Sequence, residues 1–474
     1  MGYAARVSTF PPTREGFLGF LREHGQTGSD DELVPPRQLF LVGGNPLPLR
    51  LAAAVLAPSW LCLIASPQSA GLLAALEESL RALLPDAHVL IRVLESAHHP
   101  RAMKELIAHL RTEKQVGDAA LGLHYSGGTK TMGQNAVRAL GHAAEVVCTY
   151  VDAEDDELRC DALDKGFPLS QVLVPFEDLF KLHQLTIKGS LRRPADLGRR
   201  ESLARQIGDR CFAAPGSYRA YWDLLPPFVE RSIDVPLDTK GLLPAGAAVP
   251  SGSVRVPVRV TEDKAYKDGG VFGPWSLLPA LREHIPALPA GETWRAIGRD
   301  EVLKISDPKK VVQYLSTEWF EDWLLFNLSA LKAADGSALF DDLLQGTELK
   351  PQHSAEFELD ILGRCGHDNV LISCTTIDTK SGAKPKGLEA LLRAQRLGGE
   401  LTRVVLASFV GEKDLAPLWH ELARLDPRAK NRVFVLGLPH YQGQSAVTHC
   451  DGAVAISETL PDLFLRIFSS PSPT

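Results

Sequence analysis

The sequence predicts an α/β protein whose first part is a parallel sheet covered by helices on both faces. Three observations lead there. Residues 37–151 repeat a short apolar run, a turn and an amphipathic segment; the apolar runs show no polar alternation; and the turns after them are rich in Gly, Pro and Ser. Strands buried on both faces read as continuous apolar runs, whereas strands with one wet face alternate. The first run, Gln38 to Val42, ends in Gly43-Gly44-Asn45-Pro46, and a helix follows over roughly 49–57. Trp60 to Ala65 is the next strand, ending in Ser66-Pro67-Gln68, before helical spacing over 71–84. His88 to Val93 is a third strand, with a helix near 98–113. Ala119 to His124 is a fourth; it ends in Tyr125-Ser-Gly-Gly-Thr-Lys130, and a helix at 131–142 and a strand at 145–151 complete a Rossmann-like unit. In such sheets ligands sit beyond the carboxyl ends of the strands, where the strand order reverses.

At 474 residues the chain has room for about three domains, each with its own core. The boundaries read as 1–175 for the first domain, 176–310 for an irregular, partly β connecting module, and 311–474 for a second α/β domain. In the middle, 188–210 is basic, and Val254 to Val260 alternates like an edge strand. From 311 an amphipathic helix runs to Leu328. Strands follow at 356–362 and 369–376 around a Gly-rich turn at 363–368, then a basic helix over 386–397 and apolar strands at 403–409 and 432–436.

A formal charge of −7 excludes a polycation, so any nucleic acid must be met by local basic patches. None of the seven cysteines forms a Cys-x-x-Cys pair, which argues against a structural zinc. Cys62, Cys148 and Cys374 lie in apolar runs and read as buried thiols. No signal-peptide core or membrane-length apolar stretch is visible, so a cytoplasmic setting is expected.

The sharpest local signal is the loop at 125–130. Two glycines permit close backbone approach to a ligand, the helix start behind them suits phosphate, and Ser126, Thr129, Lys130 and Thr131 add donors and charge. The spacing fits neither the P-loop nor the dinucleotide fingerprint. A tight strand-to-helix turn without a ligand is the plain alternative. Ser-Gly-Gly-Thr-Lys after the fourth strand resembles the CARF domain of CRISPR-associated ancillary proteins. The resemblance covers about 37–165. It implies a dimer that binds cyclic oligoadenylate, cyclic tetraadenylate being the ring expected. The ring would rest on Ser126, Gly127, Gly128, Thr129 and Lys130. Gly43, Gly44, Asn45 and Pro46 would flank it, as would Ser66, Pro67 and Gln68. A symmetric ring suits a homodimer in which each protomer supplies one half-site.

The second signal is dispersed. Glu318, Glu321 and Asp322 share one helix, Asp360 closes an alternating strand, and Asp378-x-Lys380 follows the next strand. Helix carboxylate, strand carboxylate and acidic-x-Lys form the layout of PD-(D/E)xK nucleases, a restriction-endonuclease-like domain. Carboxylates there hold Mg²⁺ or Mn²⁺, and a lysine offsets charge developing on the phosphate. The stretch also resembles the nuclease domain that follows CARF in Can/Card-type CRISPR nucleases. Trp319-Phe-Glu321 matches the opening helix, Glu358-Leu-Asp-Ile-Leu362 the Glu-x-Asp-Val-Leu strand, and Leu397-Gly-Gly399 the helix end. Those domains carry Cys-Lys-Thr on the second strand; here it reads Ser373-Cys374-Thr375-Thr376, so threonine stands in the lysine position. The resemblance implies a cyclic-oligoadenylate-activated nuclease of type III CRISPR antiviral defence, acting on DNA or RNA. Glu321 and Asp360 would be its metal ligands, and Asp378 and Lys380 would join the catalytic set if a bulge brings them round. The alternative is a ligand-binding scaffold whose nuclease domain does not cut.

Overall fold

The computed structural model describes residues 12–112, 120–141, 146–222, 254–255, 295–297, 300–303 and 313–469, apart from 154, 215, 220, 298–299 and, in the last segment, 353, 399–401, 426–431 and 452–453. Two large sheets organise these residues. The first contains β1 (Arg37–Val42), β2 (Trp60–Ala65), β3 (His88–Val93), β4 (Gly122–His124), β5 (Val147–Asp152), β6 (Glu157–Cys160) and β7 (Gly166–Pro168). Its order is β3-β2-β1-β4-β5-β6-β7. The first five strands are parallel, and the last two return as antiparallel hairpins. The order reverses between β1 and β4, which puts the loops after these two strands side by side. The apolar runs of β1 and β2 are buried as expected, every residue of β2 and five of the six in β1. β3 is not: it stands at the sheet edge, and only Val89 of its six residues is buried.

The middle segment contributes more than a connection. β8 (Leu185–Lys188) pairs with a strand of the second sheet. A small separate sheet is formed by β9 (Val254–Arg255), β10 (Arg295–Ile297) and β11 (Asp300–Leu303). The rest of the edge strand expected at 254–260 lies outside the described residues. The second large sheet has β8 at its edge, followed by β12 (Asp342–Pro351), β13 (Phe357–Cys365), β14 (Asp368–Cys374), β15 (Thr402–Ala407) and β16 (Val433–Leu436). β8, β12, β13 and β14 are antiparallel to their neighbours, while β14, β15 and β16 are parallel. β17 (Ala446–Asp451) and β18 (Val454–Glu458) form a hairpin.

Sequence and structure differ in instructive places. Only Gly366 and His367 make the turn expected at 363–368, because β13 continues through Cys365; Gly366, at φ 64°, takes the left-handed conformation. The helix expected at 311–328 is two pieces, a π-turn Tyr314–Glu318 and an α-helix Trp319–Ser329. It is buried on nearly every side rather than amphipathic, because the helix Pro194–Cys211 covers it as well as the sheet. That second helix comes from the segment read as a connection. Gly208 makes the close approach possible: a Cβ there would fall 2.0 Å from Trp323.

The separate cores expected of separate domains are joined. One apolar cluster runs from Phe17 and Leu49 beside the first sheet to Leu344, Leu371 and Leu397 beside the second. The helix Phe176–Leu182 bridges them, with Phe176, Leu179 and Phe180 fully buried. All seven cysteines are free, and Cys62, Cys148 and Cys374 are buried as expected.

Candidate functional site

The crevice at the switch point is made of backbone. A Cβ on Gly43 would lie 1.3 Å from the carbonyl oxygen of Gly127, and one on Gly127 would lie 2.4 Å from the Leu41 carbonyl oxygen. Only glycines let the two loops meet. The Ser126 hydroxyl accepts from the Val151 amide at 2.5 Å, fixing the loop to β5. Thr129 caps the helix Lys130–Leu140, its hydroxyl accepting from the Met132 amide at 3.2 Å. The positive end of that helix therefore stands beside the glycines. Gly44, Pro67, Gln68, Thr129 and Lys130 are exposed; Gly43, Asn45, Ser126, Gly127 and Gly128 are half-buried; Pro46 and Ser66 are buried. The three predicted loops thus belong to adjacent strand ends, with Ser69 joining two of them by donating to the Val42 carbonyl at 2.8 Å.

Asn45 has a use that the sequence did not disclose. Its side-chain amide donates at 2.8 Å to the carbonyl of Gly398, at the end of the helix Lys380–Leu397, and its oxygen accepts from Leu47 at 3.1 Å. The first-strand loop is thereby bonded to the second half of the chain. His124, at the end of β4, was also missed. It is fully buried, burial alone takes its pKa down to about 3, and the neutral ring meets the Thr149 hydroxyl at 3.1 Å.

The carboxylates come together on the second sheet. Phe320 packs edge-on against Phe409 at 4.9 Å between centroids, and Trp323 lies 4.7 Å from Phe212, so aromatic packing sets the rotation of the helix that carries Glu321. The π-turn just before it adjusts the register of Glu318. Asp360 accepts from the Cys374 amide at 2.7 Å and the Ser373 hydroxyl at 3.1 Å, both on β14. Opposite Asp360, β12 is interrupted at Gly346 (φ 54°), where a Cβ would strike Arg192. Burial raises the pKa of Glu321 well above the ordinary value, and the negative charges of Asp360, Glu318, Glu358 and Asp322 raise it further. Asp360 is also raised by burial, against the Cys374 amide and the Lys386 charge. Two carboxylates held together in a partly desolvated place ask for a cation, and oxygen donors suit Mg²⁺ or Mn²⁺, whose remaining ligands can be water and substrate phosphate.

The other acidic residues have different fates. Asp322 is wholly buried, 3.1 Å from Arg200 and bonded by Gln345 at 2.7 Å, so it locks the helix in place. Glu318 lies 3.9 Å from the same arginine. The pair expected at Asp378 and Lys380 does not reach the strand. β14 ends at Cys374, Asp378 is exposed and accepts from the Tyr218 hydroxyl at 3.2 Å, and Lys380 opens the following helix. The Lys380 ammonium is 2.8 Å from Glu421, which also holds Lys384 at 2.9 Å and whose pKa these two lysines take down to about 2. The bulge that would have turned Asp378 and Lys380 towards Asp360 is replaced by a strand end and a helix start.

Among the described residues, one group of three side chains has metal-ligand spacing: Asp156, His367 and Asp368. His367 donates to Asp156 at 2.6 Å, and Arg403 lies 2.9 Å from Asp368. With a guanidinium already neutralising the aspartate, this group reads as an ion-pair network between the β5–β6 turn and the β13–β14 turn.

Fold and site together define a class: a two-sheet α/β protein with a backbone-lined crevice at the switch point of one sheet and a half-buried carboxylate pair on the other. No protein-family model and no curated protein matches the sequence. Solved structures match it over most of its length. Protein VC1899 from Vibrio cholerae aligns with a TM-score of 0.58 at 13% identity, covering 85% of this chain and 94% of that one. Can2 from Sulfobacillus thermosulfidooxidans, solved in complex with cyclic tetra-adenylate, aligns with a TM-score of 0.57 at 12% identity, covering 86% and 96%. A type III CRISPR defence DNA nuclease activated by cyclic oligoadenylate aligns at a TM-score of 0.43 and 14% identity over 83% of this chain and 52% of its own. At these identities the likeness establishes the fold. No helix among the described residues is long and apolar enough to cross a membrane.

Proposed function

We propose that this chain is a cyclic-oligoadenylate-activated, metal-dependent nuclease of type III CRISPR defence, working as a homodimer. The observation that carries the reading is the pairing of Glu321 and Asp360, from a helix and a strand, as like charges at half-buried positions. The fold shared with cyclic tetra-adenylate-bound Can2 supports the ligand half of the reading. The ring would lie on the loops at 43–46, 66–68 and 126–130, its phosphates met by amides more than by lysines. That arrangement suits a chain with net negative charge.

Glu321 and Asp360 would hold Mg²⁺ or Mn²⁺, which would lower the pKa of a water so that it can be deprotonated for attack on phosphorus at neutral pH. The protein's own part is to fix these carboxylates. Cys374 and Ser373 orient Asp360, and the aromatic cluster orients Glu321. Asp378 and Lys380 carry no step in this reading. A route for activation exists in the bond from Asn45 to Gly398, since the helix that ends there runs back along the second sheet. Coupling requires only that the ring favour one of two positions of that contact.

Purified protein should nick plasmid or cleave single-stranded RNA in Mn²⁺, and Asp360→Ala should abolish both; cleavage unaffected by Asp360→Ala refutes the site. A second reading, a binding scaffold that does not cut, is favoured by one observation, the strand Ser373-Cys374-Thr375 without a lysine. It predicts ligand binding with no cleavage in any divalent metal.

A further inference from the structure

We propose that Lys386, from the helix Lys380–Leu397, serves as the lysine of the nuclease site in place of the one that β14 lacks. The inference rests on the nuclease reading above. The lie of the helix on β13 carries it. Arg393 donates to the Glu358 carbonyl, and the guanidinium groups of Arg393 and Arg396 lie 5.9 and 5.8 Å from the centre of the Phe357 ring. The later turns of the helix therefore rest on the start of β13. Lys386 lies two turns back on the face that Arg393 turns to β13. Its neighbour Gly387 is set against Leu406, Leu406 pairs with Ser373, and the Ser373 hydroxyl bonds Asp360, so Lys386 stands at the level of Asp360.

An ion-pair ladder holds this helix face, with Glu389 3.5 Å from Lys386 and 2.5 Å from Arg393. The other two lysines of the run are both committed to Glu421. Lys386 is partly exposed and bonded only at the long end of that ladder, so its ammonium can turn towards a bound phosphate. Asp360 keeps Oδ1 free of the bonds from Ser373 and Cys374, both of which go to Oδ2.

In the reaction a water oxygen forms a bond to phosphorus and the bond to the leaving oxygen breaks, taking its electron pair. The proton lost by the water passes to solvent, and the leaving oxygen regains one from solvent. Lys386 neither gives nor takes a proton in this step. Its ammonium offsets the charge that gathers on the non-bridging oxygens and holds the attacking water in line.

Full-length Lys386→Met, Lys386→Arg, Lys380→Met and Lys384→Met proteins test this, with cleavage in Mn²⁺ plus cyclic tetraadenylate and Mn²⁺ affinity by calorimetry as paired readouts. Lys386→Met should lose about 100-fold or more in cleavage rate, the scale of one removed charge-stabilising donor. It should bind Mn²⁺ as tightly as the wild type or more tightly, because a nearby positive charge has gone. Lys386→Arg should recover part of the rate, and Lys384→Met should match the wild type. Lys386→Met cleaving at the wild-type rate, or Lys380→Met losing activity in its place, overturns the assignment while leaving the nuclease reading intact. Mn²⁺ affinity and cleavage falling together in Lys386→Met would show a structural role and also overturn it. A wild-type protein that binds Mn²⁺ and cyclic tetraadenylate but cuts nothing refutes the nuclease reading itself, and this inference with it.

Discussion

Gly43→Ala is the sharpest single perturbation of the crevice. The substitution adds one methyl group at a position whose backbone does not need glycine for its dihedral angles, so its effect is steric. That methyl would stand 1.3 Å from the carbonyl oxygen of Gly127 and 2.4 Å from its carbonyl carbon. Ordinary contact begins near 3.4 Å, so the ends of β1 and β4 must part by about 2 Å. Both obstacles are main-chain atoms, and no rotamer change relieves them. These are paired central strands, in register from Gln38–Gly122 to Phe40–His124. Overpacking a core typically costs about 1–3 kcal/mol, and a backbone clash between central strands belongs at the upper end. If the loop yields instead of the sheet, a displacement of that size should weaken the ring about 100-fold, near 3 kcal/mol. Gly44→Ala is the control for the melt, since no protein atom lies within 4 Å of a Cβ there. Calorimetry with cyclic tetraadenylate and a thermal melt on both variants separate the cases. Gly43→Ala that binds and melts like the wild type would refute the close approach of the loops.

Further outcomes follow from the charges. Glu321 has a raised pKa in the folded protein, so it costs the metal-free fold stability as pH rises through and above the ordinary glutamate value. Glu321→Gln should therefore melt higher than the wild type at pH 7 to 8 without metal, and should lose the gain that Mn²⁺ gives the wild type; a lower melting point would contradict the like-charge pair. Arg200→Met leaves Asp322 buried and unpaired and should destabilise by about 3–5 kcal/mol in a denaturant titration, whereas a change under 1 kcal/mol would deny the pair its locking role. Burial opposes charge on His367, but Asp156 outweighs it and brings the pKa up to about 9. The pair's stabilisation should be complete below about pH 6.5 and fade as pH rises through 9. A melting temperature that falls less over pH 7.5–9.5 in His367→Gln than in the wild type checks this, and identical slopes would refute it.

Much of the first sheet was legible because its signals are local. A strand buried on both faces must be apolar throughout, and β2 begins and ends where the apolar run from Trp60 to Ala65 does. The glycines of the crevice were legible for a similar reason, since a loop that meets another backbone has to lack side chains. β12 escaped because Gly346 breaks its alternation, and β8 because its partner lies some 160 residues further along. Such pairings are long-range facts that no window of sequence contains. The same applies to Arg200. In sequence it belongs to an exposed-looking basic run, whereas in the fold it is buried against Asp322. Glu321 and Asp360 could be named from residue type and pattern. The proposed lysine could not, because which of the lysines at 380, 384 and 386 is left free of Glu421 depends on where a strand stops and how a helix lies across its neighbour.

Activation by the ring is the central claim, and one measurement addresses it directly: the rate of plasmid and single-stranded RNA cleavage by the purified protein in Mn²⁺, with and without cyclic tetraadenylate or cyclic hexaadenylate. Cleavage should rise at least tenfold with one of the two rings. Equal rates with and without both rings, or no cleavage of either substrate, would contradict it.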